Sequence, residues 1–296
     1  MNGVTTRKNG WEASLTGSPL RSNTGLNWDV MVNWSTFKEK YVDFYPGVNT
    51  LNVFFKPGDR VDGFYGTAFV KTPDGQIIND AGDGRPIVNP VGQFLGYTNP
   101  DWTWAINNVF RYKQFNFSFQ FDGRVGGNMI DYIQQQTFRG GRNIKTVEGA
   151  MGDARYQDYK GVKSWTGQGV VISNGAGISY DNNGNVTNYK DMQFAPNTTK
   201  TYLQDYISVY YNTNEANLIS KTFAKLREVV IGYNLPQSIL GRTFIRQANI
   251  SFVGRNLLYF AKNKDIDIEQ YAGDQGTSTL QTPTTRRYGF NVNVTF

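Results

Sequence analysis

At 296 residues the chain has room for one large domain or two ordinary ones, and 15% aromatics with 32 glycines favour strands and turns over helices. It holds no cysteine and no histidine, which excludes Ser-His-Asp and Cys-His catalysis and the His/Cys zinc sites. The net charge is +6, yet Lys and Arg are not clustered with stacking aromatics as in a nucleic-acid module, so no nucleic-acid partner is expected. The surplus reads either as charge spread over loops and turns or as attraction to an anionic surface such as lipopolysaccharide. No run approaches the ~18 apolar residues of a transmembrane helix. A barrel strand is only half apolar, so a mean hydropathy of −0.49 leaves a β-barrel open.

The opening segment, MNGVTTRKNGWEAS, has no apolar core and no small-residue cleavage site, so it does not read as a signal peptide. Trp11, Ala13 and Leu15 alternate with Glu12, Ser14 and Thr16 and predict a strand over about 10–18. Trp28, Val30, Val32 and Trp34 alternate with Asp29, Met31 and Asn33 and predict a second over 26–37, with a tryptophan near each end of its apolar band. Residues 38–101 are punctuated by Pro46-Gly47, Pro57-Gly58, Pro73-Asp74-Gly75 and Gly82-Asp83-Gly84 and read as a long loop, with a short strand pair expected at 64–70 and 76–79.

The stretch from 102 to 125 carries the clearest pattern. Trp102, Trp104, Ile106, Asn108, Phe110 and Tyr112 share one parity; after Lys113-Gln114, Phe115, Phe117, Phe119 and Phe121 alternate with Asn116, Ser118, Gln120 and Asp122. Side chains on a strand point alternately to opposite faces, so this is a hairpin with one aromatic and one polar face. Residues 126–222 form a second long polar region, holding Gly140-Gly141, Ser173-Asn174-Gly175 and Asp181-Asn182-Asn183-Gly184. Alternation resumes at 223–234, where Val229, Ile231 and Tyr233 share a face, and again at 246–259. A third loop covers about 260–285, and a last strand, 286–296, carries Tyr288, Phe290, Val292, Val294 and Phe296 on one parity.

Seven strands result, joined by connections that run short, long, short, long, short, long. A soluble β-sandwich would bury the aromatic face, whereas a transmembrane β-barrel turns it to lipid and the polar groups to the lumen. A sandwich has no reason to sort its loops by length, but a bacterial outer-membrane barrel keeps short turns on the periplasmic side and long loops outside. Seven is odd, and an unpaired edge in lipid leaves backbone groups without partners. The chain therefore reads as all-β, an antiparallel arc of a larger barrel with external loops at about 38–101, 126–222 and 260–285.

Three stretches resemble a known family. Lys225-Leu226-Arg227-Glu228-Val229-Val230-Ile231-Gly232-Tyr233-Asn234-Leu235-Pro236 is similar to a late-barrel motif of the SusC/RagA-type TonB-linked (TonB-dependent) outer-membrane proteins of Bacteroidetes. Gly254-Arg255-Asn256-Leu257 is similar to the family's next strand, and Pro283-Thr284-Thr285-Arg286 with the strand ending at Phe296 resembles its C-terminus. Gly10-Trp11-Glu12, Phe64-Tyr65-Gly66 and Tyr112-Lys113 are weaker echoes. The resemblance implies the C-terminal part of a 22-strand plugged barrel, the plugged class of outer-membrane transporters. It implies import of glycans or peptides powered by TonB-ExbB-ExbD, contacted through a region missing here. It also implies a SusD-like surface lipoprotein as lid, and the remaining barrel strands and plug as structural partners. No plug domain is expected in this chain.

The expected roles follow from that reading. Tyr288, Phe290, Val292, Val294 and Phe296 form the barrel-assembly signal. Trp28, Trp34, Trp102, Trp104, Phe115, Phe117, Phe119, Phe121 and Tyr233 face outer-membrane lipid or its girdle. Gln134, Gln135, Arg139 and Arg142 are candidate contacts to substrate or lid, and Trp165 and Tyr206 candidate stacking platforms for sugar rings. Asp181 to Asn185 is read as a plain turn rather than a calcium loop; Asp265, Asp267 and Glu269 on the third loop are a weaker calcium candidate. No catalytic residue, metal or cofactor is expected, and the chain is not read as an enzyme. A soluble or surface-exposed all-β binding module and a truncated, non-functional product stay open as alternatives.

Overall fold

The computed structural model describes residues 3–52, 54–271, 276–278 and 282–296. Of the segments read from sequence, the first two residues of the opening stretch, Val53 in the first long loop, and 272–275 and 279–281 in the third lie outside the described residues.

Seven strands form one antiparallel sheet in chain order: β1 (Val4–Leu20), β2 (Leu26–Phe44), β3 (Trp102–Tyr112), β4 (Phe115–Val125), β5 (Phe223–Asn234), β6 (Gln247–Ala261) and β7 (Arg287–Thr295). Period-2 alternation fixes the register, because a slip by one residue would move every aromatic to the opposite face. Tyr112 pairs with Phe115 across Lys113-Gln114, and Lys113 takes the left-handed conformation (φ 52°) that so tight a hairpin needs. β1 and β2 run beyond their expected ends, to Val4 and Phe44, and pair across that extension. There the even positions of β2 are filled by Lys38 and Lys40, so the ladder continues where the apolar periodicity stops.

Pairing joins the alternating rows into one apolar face across all seven strands. Trp34 lies opposite Ala13 and Trp104; Phe117 lies opposite Phe110 and Ile231; Ile231 lies opposite Phe252, which lies opposite Phe290. Among the described residues no second layer covers this face, and Trp11 and Phe290 are 77% and 80% exposed. A soluble sandwich needs a second layer over such a face. The opposite face carries Ser14, Asn33, Asn107, Gln120, Asn116 and Asn249.

The short connections, at 21–25, 113–114 and 235–246, share one end of the sheet, and the three long ones share the other. The long regions, read as polar loops with one short strand pair, hold more regular structure than expected. They carry α1 (Tyr132–Arg139), α2 (Gly149–Tyr159) and α3 (Leu203–Tyr210), with short strands between, and they pack into a cap. One core holds Phe138, Ala154, Leu203 and Ile207. A second holds Val70, Ile78 and Val170. A third ties the cap to the sheet through Met129, Phe223, Ile266, Ile268 and Tyr271. Apolar positions here are scattered among Gly, Asn and Asp, which hides the core from a periodicity reading. The expected pair at 64–70 and 76–79 forms in part: the Ile78 N–H donates to the Val70 carbonyl across Pro73-Asp74-Gly75, while Gly63–Gly66 pairs instead with Gln93–Tyr97.

Candidate functional site

The polar face and the cap meet at the ends of β4, β5 and β6. Phe223, Lys225 and Arg124 share the polar face, because Phe223 lies opposite Arg124 and Lys225 opposite Asp122. A register shift between Leu226 and Glu228 makes Arg227 an extra residue. A bulge of this kind re-aims a side chain. Arg227 turns to the polar side, where Nε and Nη2 donate to the two Asp122 carboxylate oxygens, both at 2.8 Å.

From this point three cations hold one segment of the cap. Arg227 Nη2 pairs with Glu269 at 2.7 Å. Lys225, 3% exposed, donates to Asp267 at 2.9 Å and also pairs with Glu269. Arg124 donates to the carbonyls of Lys221 at 2.9 Å and Tyr271 at 3.0 Å, and to that of Ile268. The Thr284 N–H closes onto Asp267 at 2.9 Å. Two of the stretches that carry the family resemblance meet here, since Arg227 Nη1 donates to Asn256 Oδ1 at 3.3 Å. Burial opposes ionisation of Asp267, but hydrogen bonds from Thr284 and Lys225 outweigh it and hold its pKa below the usual value. Glu269 is likewise held down, burial being outweighed by Arg227 and Lys225. Two of the three carboxylates weighed as calcium ligands, Asp267 and Glu269, are thus committed to the protein's own cations. Among the described residues, no cluster of three or more acidic side chains fits a metal ion.

Beside this clamp the polar face opens into a hollow of about 690 Å³, lined by Ser14, Asn33, Ser35, Thr103, Asp122 and Arg227. Its lining offers hydroxyls, amides and paired charges, and no arranged nucleophile and base.

The expected contact residues do not converge. Gln134 borders one hollow of about 470 Å³ with Lys145, Lys262 and Lys264. Arg139 borders another of about 390 Å³ with Thr146, Arg155 and Asp158. Gln135 is half-buried on α1, and Arg142 is exposed just past it. Tyr206 is 5% exposed and packs on Tyr210 and Trp165, so its ring is spent on the cap core rather than presented as a platform. Burial raises its phenol pKa, and raises that of Tyr211 to about 12. Trp165 Nε1 is buried with no partner among the described residues. Asp181 accepts hydrogen bonds from the Asn183 and Asn185 N–H groups of its own turn, both at 2.8 Å.

The aromatic residues expected at lipid all stand on the apolar face, and they mark both of its ends. Trp34 and Trp104 are cross-strand partners toward the cap, with Trp102 one step beyond; Trp28 stacks on Phe110, and Phe115 packs tilted against Tyr233, toward the short turns. Phe119 and Phe121 lie between. On β7, Tyr288, Phe290, Val292 and Val294 lie in the same face, and Phe296 stacks on Phe244. Arg124, Lys225 and Arg227 were not singled out from sequence as a site, and Asp267 and Glu269 were expected only as part of a weaker calcium candidate. In sequence Lys225 and Arg227 share the odd parity of Val229, Ile231 and Tyr233, so only the bulge at Arg227, and not the period, puts them on the polar side.

No family model matches the chain. Two curated proteins of Formosa agariphila are similar to it: TonB-dependent receptor P3, 21% identical over 96% of this chain, and TonB-dependent receptor P26, 24% identical over 97%. The chain spans only 27% and 29% of their lengths. Among solved structures, the RagAB peptide transporter superposes with a TM-score of 0.63, and the RagAB peptide importer in its closed-closed state with 0.65. In both, identity is 17% and the match covers all of this chain and 30% of the other. The relatives are receptors and transporters by name. The chain thus resembles one segment of TonB-dependent receptors in sequence and has the fold of the corresponding segment of the RagAB transporter.

Proposed function

We propose that this chain forms part of the wall and the external loop cap of an outer-membrane TonB-dependent importer. The observation that carries the reading is the uncovered apolar face, continuous over seven strands and backed by a polar face. Only an apolar solvent makes such an arrangement favourable, because each exposed aromatic left in water forgoes about 1.5–3 kcal/mol of burial. The sheet lies in the bilayer, its polar face lines the lumen, and the long connections stand outside. The clamp of Arg124, Lys225 and Arg227 holds the third connection against the lumen wall, beside the hollow at Asp122.

The cargo is a soluble nutrient, a peptide or an oligosaccharide; the RagAB neighbours favour a peptide. Energy comes from TonB-ExbB-ExbD, and a plug and further strands complete the barrel. A SusD-like lipoprotein closes over the cap. Around α2, Ile144, Val147, Tyr156 and Tyr159 are exposed, with Tyr159 at 87%, and such apolar surface suits a protein partner better than the polar positions at Gln134 and Gln135.

The test is the mass and location of the native product, detected with an antibody against 126–220. A band in isolated outer membranes several times heavier than 33.4 kDa supports the importer reading. A folded product in the soluble fraction at that mass overturns it.

A further inference from the structure

The outward face does not end at its aromatics. On β1 and β2 it continues toward the cap through Arg7, Asn9, Lys38 and Lys40. Arg7 pairs directly with Lys40 and Asn9 with Lys38, two steps beyond Trp11 and Thr36. All three cations are exposed. Among the described residues none has a carboxylate partner; Glu39, the nearest by sequence, points to the polar face, where it accepts from Thr6. Like charges directly opposite across a ladder, with Cβ atoms ~5 Å apart, are destabilising unless an anion joins them. A hollow of about 930 Å³ lies over them, floored by Trp11 and Thr36 and bordered by Val42 and Gly58. On β3 and β6 the outward face reaches the cap end without cations: β6 shows Leu258 and Phe260, and β3 starts at Trp102.

We propose that Arg7, Lys38 and Lys40 bind the phosphate groups of an anionic lipid in the leaflet on the cap side. The proposal rests on the wall reading, since it requires that the face below Trp11 meet hydrocarbon. Tryptophan then marks the interface, and cations one or two steps above it stand at headgroup level. Lys and Arg deliver charge there while their stems stay along the apolar surface. The site recognises phosphate, not the acyl chains, and it sits on the wall, away from the lumen.

The test uses the complete membrane protein that contains this chain, extracted from outer membranes in mild detergent. Bound lipid is counted by native mass spectrometry after addition of diphosphorylated lipid A or its dephosphorylated form. The variants are the triple Arg7→Gln/Lys38→Gln/Lys40→Gln, the single Lys38→Gln, and Lys8→Gln. Lys8 lies on the same strand but the opposite face, over the Phe37 ring at 3.8 Å. Expected are about a tenfold loss of retained diphosphorylated lipid A in the triple variant and a smaller loss in Lys38→Gln. Lys8→Gln is expected to behave as wild type, and wild type to show no preference for the dephosphorylated lipid. If the triple variant does not insert, Lys38→Gln carries the test. Equal retention by wild type and the cation variants overturns the proposal alone. Equal loss in Lys8→Gln also overturns it, because net charge would then suffice. A protein absent from the membrane fraction sinks the wall reading, and the proposal with it.

Discussion

The sheet and the cap are built from the same amino acids under opposite rules. The sheet alternates apolar and polar side chains over long runs and leaves its apolar face bare. The cap has no such period and buries Ile78, Met129 and Ile130 almost completely. A region that hides its apolar groups behind its own chain folds in water; a region that displays them in a continuous band needs a solvent that accepts them. The contrast teaches that one chain can be divided by solvent rather than by sequence position, since cap and sheet segments interleave three times.

The largest effect is expected at the junction. Lys225→Met leaves Asp267 and Glu269 without their shared cation in a buried setting, at a cost of about 3–5 kcal/mol. Limited trypsin digestion of the complete protein should then cut within 262–286 while the sheet keeps its heat-modifiable gel shift; cleavage unchanged from wild type would show the clamp to be dispensable. A loss of similar size, confined to the cap, is expected for Phe138→Ala. The Phe138 ring stacks on Tyr211 at 3.7 Å, and truncation of a buried Phe costs about 3–5 kcal/mol. Protease should open 126–222 and spare the wall, and joint loss of both regions would break the proposed independence.

A paired substitution on β4 addresses the solvent directly. Phe119→Arg near the middle of the outward face should cost about 2–4 kcal/mol of membrane stability, with Ser118→Arg on the polar face far milder. Equal effects in urea-titrated folding into vesicles would contradict the assignment of faces. The smallest effect is a dependence on pH. Asp267 and Glu269 have folded pKa values below their ordinary ones, so their contribution is complete above the ordinary carboxylate range. It is lost as pH falls through the lowered folded values, so acid should raise hydrogen exchange in 266–271 before it affects the strands. A loosening that instead grows as the pH rises above neutrality would reverse the sign and reject the clamp as its cause.

Legibility followed the same division. β3 and β4 match their expected bounds because eleven residues of alternation leave no other regular structure, and β5 matches although the bulge at Arg227 interrupts its alternation. β1 and β2 were read short, since lysines replaced the apolar residues while backbone pairing continued. The helices of the cap were missed because short amphipathic turns among Gly and Asn give no sustained 3.6-residue period, and their partners lie far along the chain. Leu203 and Phe138 share a core across more than sixty residues. Trp165 and Tyr206 were read as candidate stacking platforms for sugar rings, and only packing shows that the two rings lie against each other inside the cap.

Strand identity, the two-faced sheet, the sorting of short and long connections and the absence of thiol or imidazole chemistry were fixed by sequence, because each depends on local period or composition. Tertiary structure decided the bulge that turns Arg227 toward Asp122, the capture of Asp267 and Glu269 by Lys225, the folding of three separate connections into one cap, and the stacking of Arg7 beside Lys40 and Lys38. Each of these joins residues distant in the chain, and the register and packing that bring them together are properties of the assembled sheet.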